Sequence, residues 1–216
     1  MRAGRLAQAA AIVLALGGAA GPASATDLEV LGGVSIASLT GTAVNGGTSR
    51  SGVSVGPQAR WPLAPRWSFT TGLAYVERGM VAGDATYLGP AGAGTVRETI
   101  ELAYAEVPLL FAWSTPRTPG TCVRLFAGPM VAVKLNEWLH QTGVQEVKLR
   151  RSDFQDADLL ACMGARIEVP WPPRYVFAEG RVDAGLVNEL RPTASEGSAR
   201  TTDLRVMLGC GWPGWR

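Results

Sequence analysis

The sequence has no long hydrophobic run after its first 25 residues. A membrane-spanning helix needs roughly 20 consecutive apolar residues, so none is predicted. A shorter apolar stretch, Leu6–Ala20, lies between two arginines and the small-residue sequence Ala23-Ser24-Ala25. This order is typical of a secretory signal peptide, and the stretch is too short and too rich in Ala and Gly for an anchor. We therefore predict a cleaved signal peptide at residues 1–25 and one domain at residues 26–216.

The chain also has no large excess of charge of either sign. It contains 20 Lys and Arg against 18 Asp and Glu, and Arg2 and Arg5 are the only charged residues before position 26. The mature domain therefore carries as many basic as acidic side chains. A nucleic-acid-binding domain usually has a basic patch and a high pI. We accordingly expect no nucleic-acid partner.

Histidine and cysteine are scarce. His140 is the only histidine, and Cys122, Cys162 and Cys210 form neither a CxxC pair nor another metal-ligand spacing. An exported protein could hold one disulfide, and an odd count would leave at least one thiol in a monomer. Isolated small apolar residues on strands are the favoured interpretation of the three cysteines. We predict no cofactor and no metal.

What the sequence does have is many short β-type segments separated by turn residues, with 27 Gly and 14 Pro in total. Long amphipathic helical patterns are hard to find. Eight strands are predicted: Leu28–Leu39, Ser51–Trp61, Trp67–Val81, Thr95–Trp113, Cys122–Glu137, Phe154–Pro170, Tyr175–Leu190 and Thr201–Trp212. We expect an all-β fold in which these strands form an eight-stranded antiparallel up-and-down transmembrane β-barrel.

The connections between these strands alternate in character. Three are tight and Pro-rich: 62–66, 114–121 and 171–174. The other four are longer or more polar: 40–50, 82–94, 138–153 and 191–200. Outer-membrane barrels combine short periplasmic turns with longer extracellular loops. The alternation predicts this location, with both ends of the mature chain on the periplasmic side.

Apolar and polar side chains alternate along the later strands, as expected when one face contacts lipid and the other faces the lumen. Twelve charged residues fall on the predicted lumen face: Arg60, Glu106, Arg124, Lys134, Asp156, Asp158, Arg166, Glu168, Glu179, Arg181, Asp183 and Arg205. The interior of an eight-stranded barrel is filled by side chains, and buried charges need partners. Six acidic and six basic residues therefore predict a plug of ion pairs rather than an open pore.

Aromatic residues cluster near the tight turns. Trp and Tyr prefer the membrane–water interface, so we predict an aromatic girdle at the periplasmic boundary. Its expected members are Trp61, Trp67, Trp113, Trp171, Tyr175, Trp212 and Trp215.

One segment carries a family resemblance. Leu102–Leu110, with the sequence LAYAEVPLL, resembles the Y-x-E-[IV]-P-L-L strand of PorT-like outer-membrane β-barrel proteins. Phe69–Arg78, Leu125–Lys134 and Arg181–Asn188 are similar to other strand signatures of that family. The resemblance implies a barrel fold and an outer-membrane location, but no activity. The C-terminal Trp-Arg differs from the terminal aromatic residue common in such barrels.

Three groups of residues are candidates for a chemical site. His140, Thr142 and Glu146 combine residue types of a lipid deacylase triad, although a solvated loop is the favoured interpretation. Asp153, Asp156 and Asp158 suggest a cation site, but pairing of the last two with Arg124, Arg166 or Arg181 is favoured. The basic run at positions 148–151 could bind anionic lipopolysaccharide.

These observations predict a small outer-membrane barrel with a closed, charge-paired interior. Its expected role is non-enzymatic: structural, adhesive, or accessory to assembly or secretion. Its expected partners are outer-membrane lipid and other envelope proteins that contact the extracellular loops. A lipid-modifying enzyme and a narrow pore are the main alternatives, and a soluble periplasmic barrel for an apolar ligand is a third.

Overall fold

A computed structural model describes residues 26–42, 47–89, 92–116, 120–142, 147–150, 155–188 and 198–214. The predicted signal peptide lies outside these residues. They contain ten strand segments: β1 (Asp27–Thr40), β2 (Thr48–Ala64), β3 (Trp67–Gly72), β4 (Ala74–Gly89), β5 (Gly92–Ser114), β6 (Cys122–Thr142), β7 (Val147–Arg150), β8 (Ala157–Trp171), β9 (Arg174–Gly185) and β10 (Arg200–Trp212). Among them, no helix is long and apolar enough to cross a membrane.

The segments close into a ring in which every pairing is antiparallel. β1 pairs with β2 on one side and with β10 on the other. The ring continues from β2 through β3 and β4 to β5, and then through β6, β8 and β9 to β10. β3 and β4 are two parts of one strand interrupted at Leu73, and β7 pairs with the end of β6. The predicted eight-stranded antiparallel barrel is therefore confirmed.

Two predicted connections are partly wrong. β4 continues to Gly89 and β5 starts at Gly92, so most of the expected loop 82–94 is a paired hairpin. β6 runs on to Thr142, and β7 forms inside the expected loop 138–153. The hairpins continue beyond the membrane because neighbouring strands satisfy each other's backbone N–H and C=O groups. The predicted starts and ends of the sixth and seventh strands also shift, to Ala157 and to Gly185.

The wall of the barrel is uneven in height. β9 has 12 residues and β5 has 23. At about 3.4 Å per residue and a tilt near 40°, these lengths correspond to roughly 30 Å and 60 Å along the barrel axis. The apolar band of such barrels is only about 25 Å tall. The β4–β6 side of the barrel therefore extends well beyond the membrane on the side opposite the tight turns.

Side chains alternate between the two faces of this wall. Residues of β10 switch regularly between exposed and buried from Arg200 to Leu208. The exposed face is apolar, with Leu204, Val206 and Leu208 on β10 and Val34 and Ile36 on the neighbouring β1. The buried face carries the charged side chains, and these define the candidate site.

Candidate functional site

The structure places most of the twelve predicted lumen charges inside the barrel. Ten of them are buried: Arg60, Glu106, Arg124, Asp158, Arg166, Glu168, Glu179, Arg181, Asp183 and Arg205. Lys134 is half-buried and pairs with Glu137 at 2.5 Å. Asp156 is half-buried and precedes β8, so it lies at the rim rather than among the buried charges. The buried groups form two layers along the barrel axis.

The lower layer lies nearer the tight turns and spans the full width of the lumen. Arg60 is on β2, and Glu168 is on β8, the strand directly opposite in the eight-stranded ring. Arg60 Nη1 donates to Glu168 Oε1 at 2.5 Å. Arg124 donates from Nε and Nη2 to the two oxygens of the same carboxylate, each at 3.1 Å. Glu168 therefore joins two arginines from different strands.

Glu29 is the second acceptor of the lower layer, and the sequence prediction missed it. Its carboxylate is fully enclosed and accepts from Arg166 at 2.7 Å, Gln58 at 2.5 Å and the Tyr175 hydroxyl at 2.6 Å. Arg166 also donates to Glu179 at 2.8 Å. Multiple directed, charge-assisted hydrogen bonds of this kind offset the cost of burying a carboxylate.

Tyr175 lies in the interior, so its predicted place in the aromatic girdle is wrong. The side chain is buried, and its hydroxyl lies 3.1 Å from Arg60 Nη2. Gly211 makes this position available, because a Cβ there would stand 2.1 Å from Tyr175 Cζ. The phenol hydroxyl needs a polar partner when it is buried, and Glu29 provides one.

The central layer is organised around Arg205. Its guanidinium makes a two-pronged contact with Glu106, with Nη1 to Oε2 at 2.7 Å and Nη2 to Oε1 at 2.9 Å. β10 and β5 are opposite strands of the ring, so this contact also crosses the lumen. Arg205 further contacts Asp203 at 2.6 Å and Asp183 at 3.0 Å. One guanidinium thus joins three carboxylates.

Arg78 is the other cation that the sequence prediction missed in the central layer. It pairs with Glu106 and lies 3.4 Å from Asp203 and 3.9 Å from Asp158. Asp158 was predicted to pair with Arg124, Arg166 or Arg181, and Arg78 is a contact that this prediction did not include. The nitrogens of Arg78 make no directed hydrogen bond within the described residues. The central layer therefore relies more on charge proximity than the lower one does.

The predicted balance of six acidic and six basic interior residues is wrong. Among the described residues, the buried charged set holds eight carboxylates and six guanidinium groups. Glu29, Glu137, Asp203 and Arg78 join the predicted set, and the half-buried Lys134 and Asp156 leave it. Asp203 stands two residues before Arg205, so the alternation alone could have identified it. Glu137 could not be found in this way. Leu135 is an extra residue in the register with β5, and this bulge turns Glu137 inward.

The outer face carries the lower girdle. Trp61, Trp67, Trp113 and Trp171 lie at the ends of strands next to the tight turns, and Trp171 is 68% exposed. Trp212 lies at the same end of the barrel, where the Arg174 guanidinium stacks 5.0 Å from its ring centre. Trp215 lies outside the described residues.

His140 is in strand β6 rather than in a loop. Its Nε2 lies 2.9 Å from Glu101 Oε2, on the adjacent strand β5. Glu101 also accepts from Arg50 Nη2 at 2.7 Å. Glu146 and the side chain of Thr142, the other two members of the considered triad, lie outside the described residues. Asp153, one of the three aspartates considered as a cation site, also lies outside the described residues.

The three cysteines are free thiols in the structure, on strands β6, β8 and β10. Cys122 and Cys162 are buried, and Cys210 is half-buried.

A closed antiparallel ring with charges inside and an apolar outer face defines a transmembrane β-barrel. The chain belongs to the outer membrane protein beta-barrel domain family, whose model matches residues 7–191. Membership of this family places the protein in the outer membrane. The resemblance to the PorT-like subgroup stays a prediction.

Several solved structures are similar over most of their length. Neisserial surface protein A is 11% identical, with 86% of this chain and 96% of that chain covered and a TM-score of 0.48. OprG from Pseudomonas aeruginosa is 14% identical, with 89% and 97% covered and a TM-score of 0.45. The outer membrane protease OmpT from Escherichia coli is 10% identical, with 88% and 97% covered and a TM-score of 0.48. No curated protein sequence matches this chain significantly.

Proposed function

We propose that this protein is a non-conducting, non-enzymatic outer-membrane barrel that acts through its outer wall and its extracellular end. The observation that carries the proposal is the pair of arginine–glutamate contacts that cross the lumen. Arg60–Glu168 crosses it in the lower layer, and Arg205–Glu106 crosses it in the central layer. Each contact joins strands on opposite sides of the ring.

Two such contacts at different heights favour a closed barrel. A solute would have to separate Arg205 from Glu106, and both side chains are fully buried. Removing one partner from a buried ion pair costs about 3–5 kcal/mol, because it leaves an uncompensated charge. Opening the lumen would disrupt several pairs in each layer, so transport through the centre is disfavoured.

A protein with a closed lumen acts through its surfaces. The apolar outer face fits outer-membrane lipid, and the tall β4–β6 side offers a paired β-surface to other envelope proteins. A structural, adhesive, assembly or secretion-accessory role is in keeping with both surfaces. Export by a signal peptide cleaved after Ala25 is part of the proposal.

Conductance decides between this role and a narrow pore. Purified protein reconstituted in planar bilayers should show no stable ionic current above the lipid baseline. Glu106→Ala should raise current if the central layer is the seal, whereas Glu77→Ala on the exposed outer face should not. Steady ohmic current through the unaltered protein would refute the closed-barrel proposal.

The contact between His140 and Glu101 favours one second candidate, a lipid-modifying enzyme. A histidine oriented by a carboxylate is the arrangement that activates a hydroxyl nucleophile. Mass spectra of lipid A from cells that overproduce the protein should then change, and His140→Ala should restore the normal pattern. Unchanged lipid A in overproducing cells would support the non-enzymatic role instead.

A further inference from the structure

A recess of about 210 Å³ opens on the outer face of the tall side of the barrel. Cross-strand register places its residues side by side: Glu77 pairs with Ala103, Ala103 pairs with Asn136, and Glu101 pairs with Trp138. These positions alternate with the buried Arg78 and Leu102, so they share the outer face. The recess is therefore accessible from outside the barrel and separate from the charged lumen.

The recess lies at the upper boundary of the membrane. Glu101 is twelve residues above Trp113 of the lower girdle along β5, which corresponds to roughly 30 Å of height. The apolar band is about 25 Å tall, and the outer face of β5 below Glu101 is formed by alanine and apolar side chains up to Trp113. Lipid headgroups of the outer leaflet lie at this height.

The lining combines ring surfaces with hydrogen-bonding groups. Tyr75 and Trp138 supply aromatic surface, Ala103 leaves space between them, and Glu77 and Asn136 supply oxygen and amide groups. Aromatic faces together with carboxylate and amide groups suit a sugar ring, which has apolar C–H faces and a rim of hydroxyls. The volume is below the roughly 300–1,000 Å³ of drug-sized pockets, which fits a single ring.

A group of charged residues that contact one another holds the polar side of the recess in place. Arg50 donates to Glu101, and Glu101 contacts His140. Gly79 makes the approach of Arg50 feasible. A Cβ at Gly79 would lie 3.3 Å from Arg50 Cδ and 2.0 Å from the Ile100 carbonyl oxygen, and its φ of +151° also favours glycine. Arg50 is thereby held by a carboxylate and offers less attraction to a phosphate.

The lining has two carboxylates and one guanidinium, which disfavours an anion inside the recess itself. An uncharged sugar ring is therefore favoured over an anionic group inside the recess.

We propose that this recess binds a sugar ring of the glycolipid of the outer leaflet. The ring lies between Tyr75 and Trp138, and its hydroxyls bond to Glu77 and Asn136. The site goes beyond the closed-lumen proposal and does not depend on it, because it uses the opposite face of the wall.

The test is the binding of fluorescent lipid A to the folded protein in neutral detergent micelles. Ala103→Phe fills the recess, and Trp138→Ala removes one aromatic wall. Each should weaken binding about tenfold, since a stacked aromatic contact is worth roughly that factor. Ala184→Phe is the matched control, because Ala184 is an exposed outer-face alanine at similar height on β9. Heat-modifiable gel mobility verifies folding. If Ala103→Phe does not fold, the binding of lipid A to Trp138→Ala tests the proposal alone.

Two competitors identify what is recognised. Phosphatidylglycerol carries negative charge without a sugar, and the deacylated, phosphorylated glucosamine disaccharide carries the sugar without a lipid. Weak competition by the disaccharide and none by phosphatidylglycerol, with both recess variants weakened and the control unchanged, supports the proposal. Equal competition by phosphatidylglycerol would show a charge effect only. Disaccharide binding as tight as lipid A would indicate a soluble sugar ligand, and unaltered binding in both recess variants would exclude the site.

Discussion

The two faces of β10 show how differently the same strand is used inside and outside the barrel. On the inner face, Asp203 and Arg205 have no exposed surface. On the outer face, Val206 and Leu208 are 61% and 68% exposed. In a soluble protein the charged residues would be outside and the apolar ones inside. The reversal shows that lipid surrounds the barrel and that each interior charge is stabilised by its neighbours rather than by water.

Removing an inner carboxylate should have the largest effect on the stability of the barrel. Glu106→Ala should lower the free energy of unfolding by about 3–5 kcal/mol, since Arg78 and Arg205 would lose their shared partner inside the barrel. Denaturant titration in lipid vesicles, followed by gel mobility, measures this change. Glu77→Ala on the outer face is the control and should change stability less, because Glu77 is only half-buried and its carboxylate accepts from the Tyr75 hydroxyl at the surface. A similarly small effect of both substitutions would mean that the inner pairs contribute little.

A charge on the outer face should have the next largest effect. Val206→Arg places a cation near mid-membrane, where the expected cost is about 2–4 kcal/mol. Thr40→Arg lies on the exposed face at the upper end of β1, where the cost should fall to about 0–1 kcal/mol. The same vesicle titration compares the two variants. Equal costs at the two heights would contradict the assigned apolar band.

The smallest effect is expected for the ion pairs at the upper boundary. The Glu101 side chain is 30% exposed and those of Arg50 and His140 are partly exposed, so solvent screens their attraction. Glu101→Gln should therefore change the free energy of unfolding by about 1 kcal/mol or less. A loss as large as that of Glu106→Ala would show that this group is as tightly enclosed as the central layer.

Alternation in the sequence was enough to identify most of the inner face. Arg205, Arg181 and Asp183 follow a regular period of two on their strands, and the structure places all three inside. The period of two fails in β6, where the strand contains a bulge. The bulge at Leu135 reverses the alternation along β6, so Glu137 points inward and Asn136 outward. Sequence spacing cannot reveal a bulge that depends on the pairing of two strands.

Partner choice was also beyond the sequence. Asp158 has three arginines among its predicted partners, yet the structure also places it 3.9 Å from Arg78 of β4. Likewise Glu101 and His140 are distant in sequence. The register of β5 and β6 brings the two side chains into contact, and the sequence does not show this register. Tyr175 has the residue type of a girdle member, but the space left by Gly211 directs it inward.

By itself the sequence determined the eight-stranded architecture, the side of the tight turns and the polarity of the two faces. Those properties depend on short-range patterns: turn residues, strand-forming segments and a period of two. Only the tertiary structure decided which charges meet across the lumen, how far the β4–β6 side extends, and where the outer recess lies. These depend on ring closure and on cross-strand register, which bring together residues far apart in sequence, such as Leu28 and Trp212 at the closure of the ring.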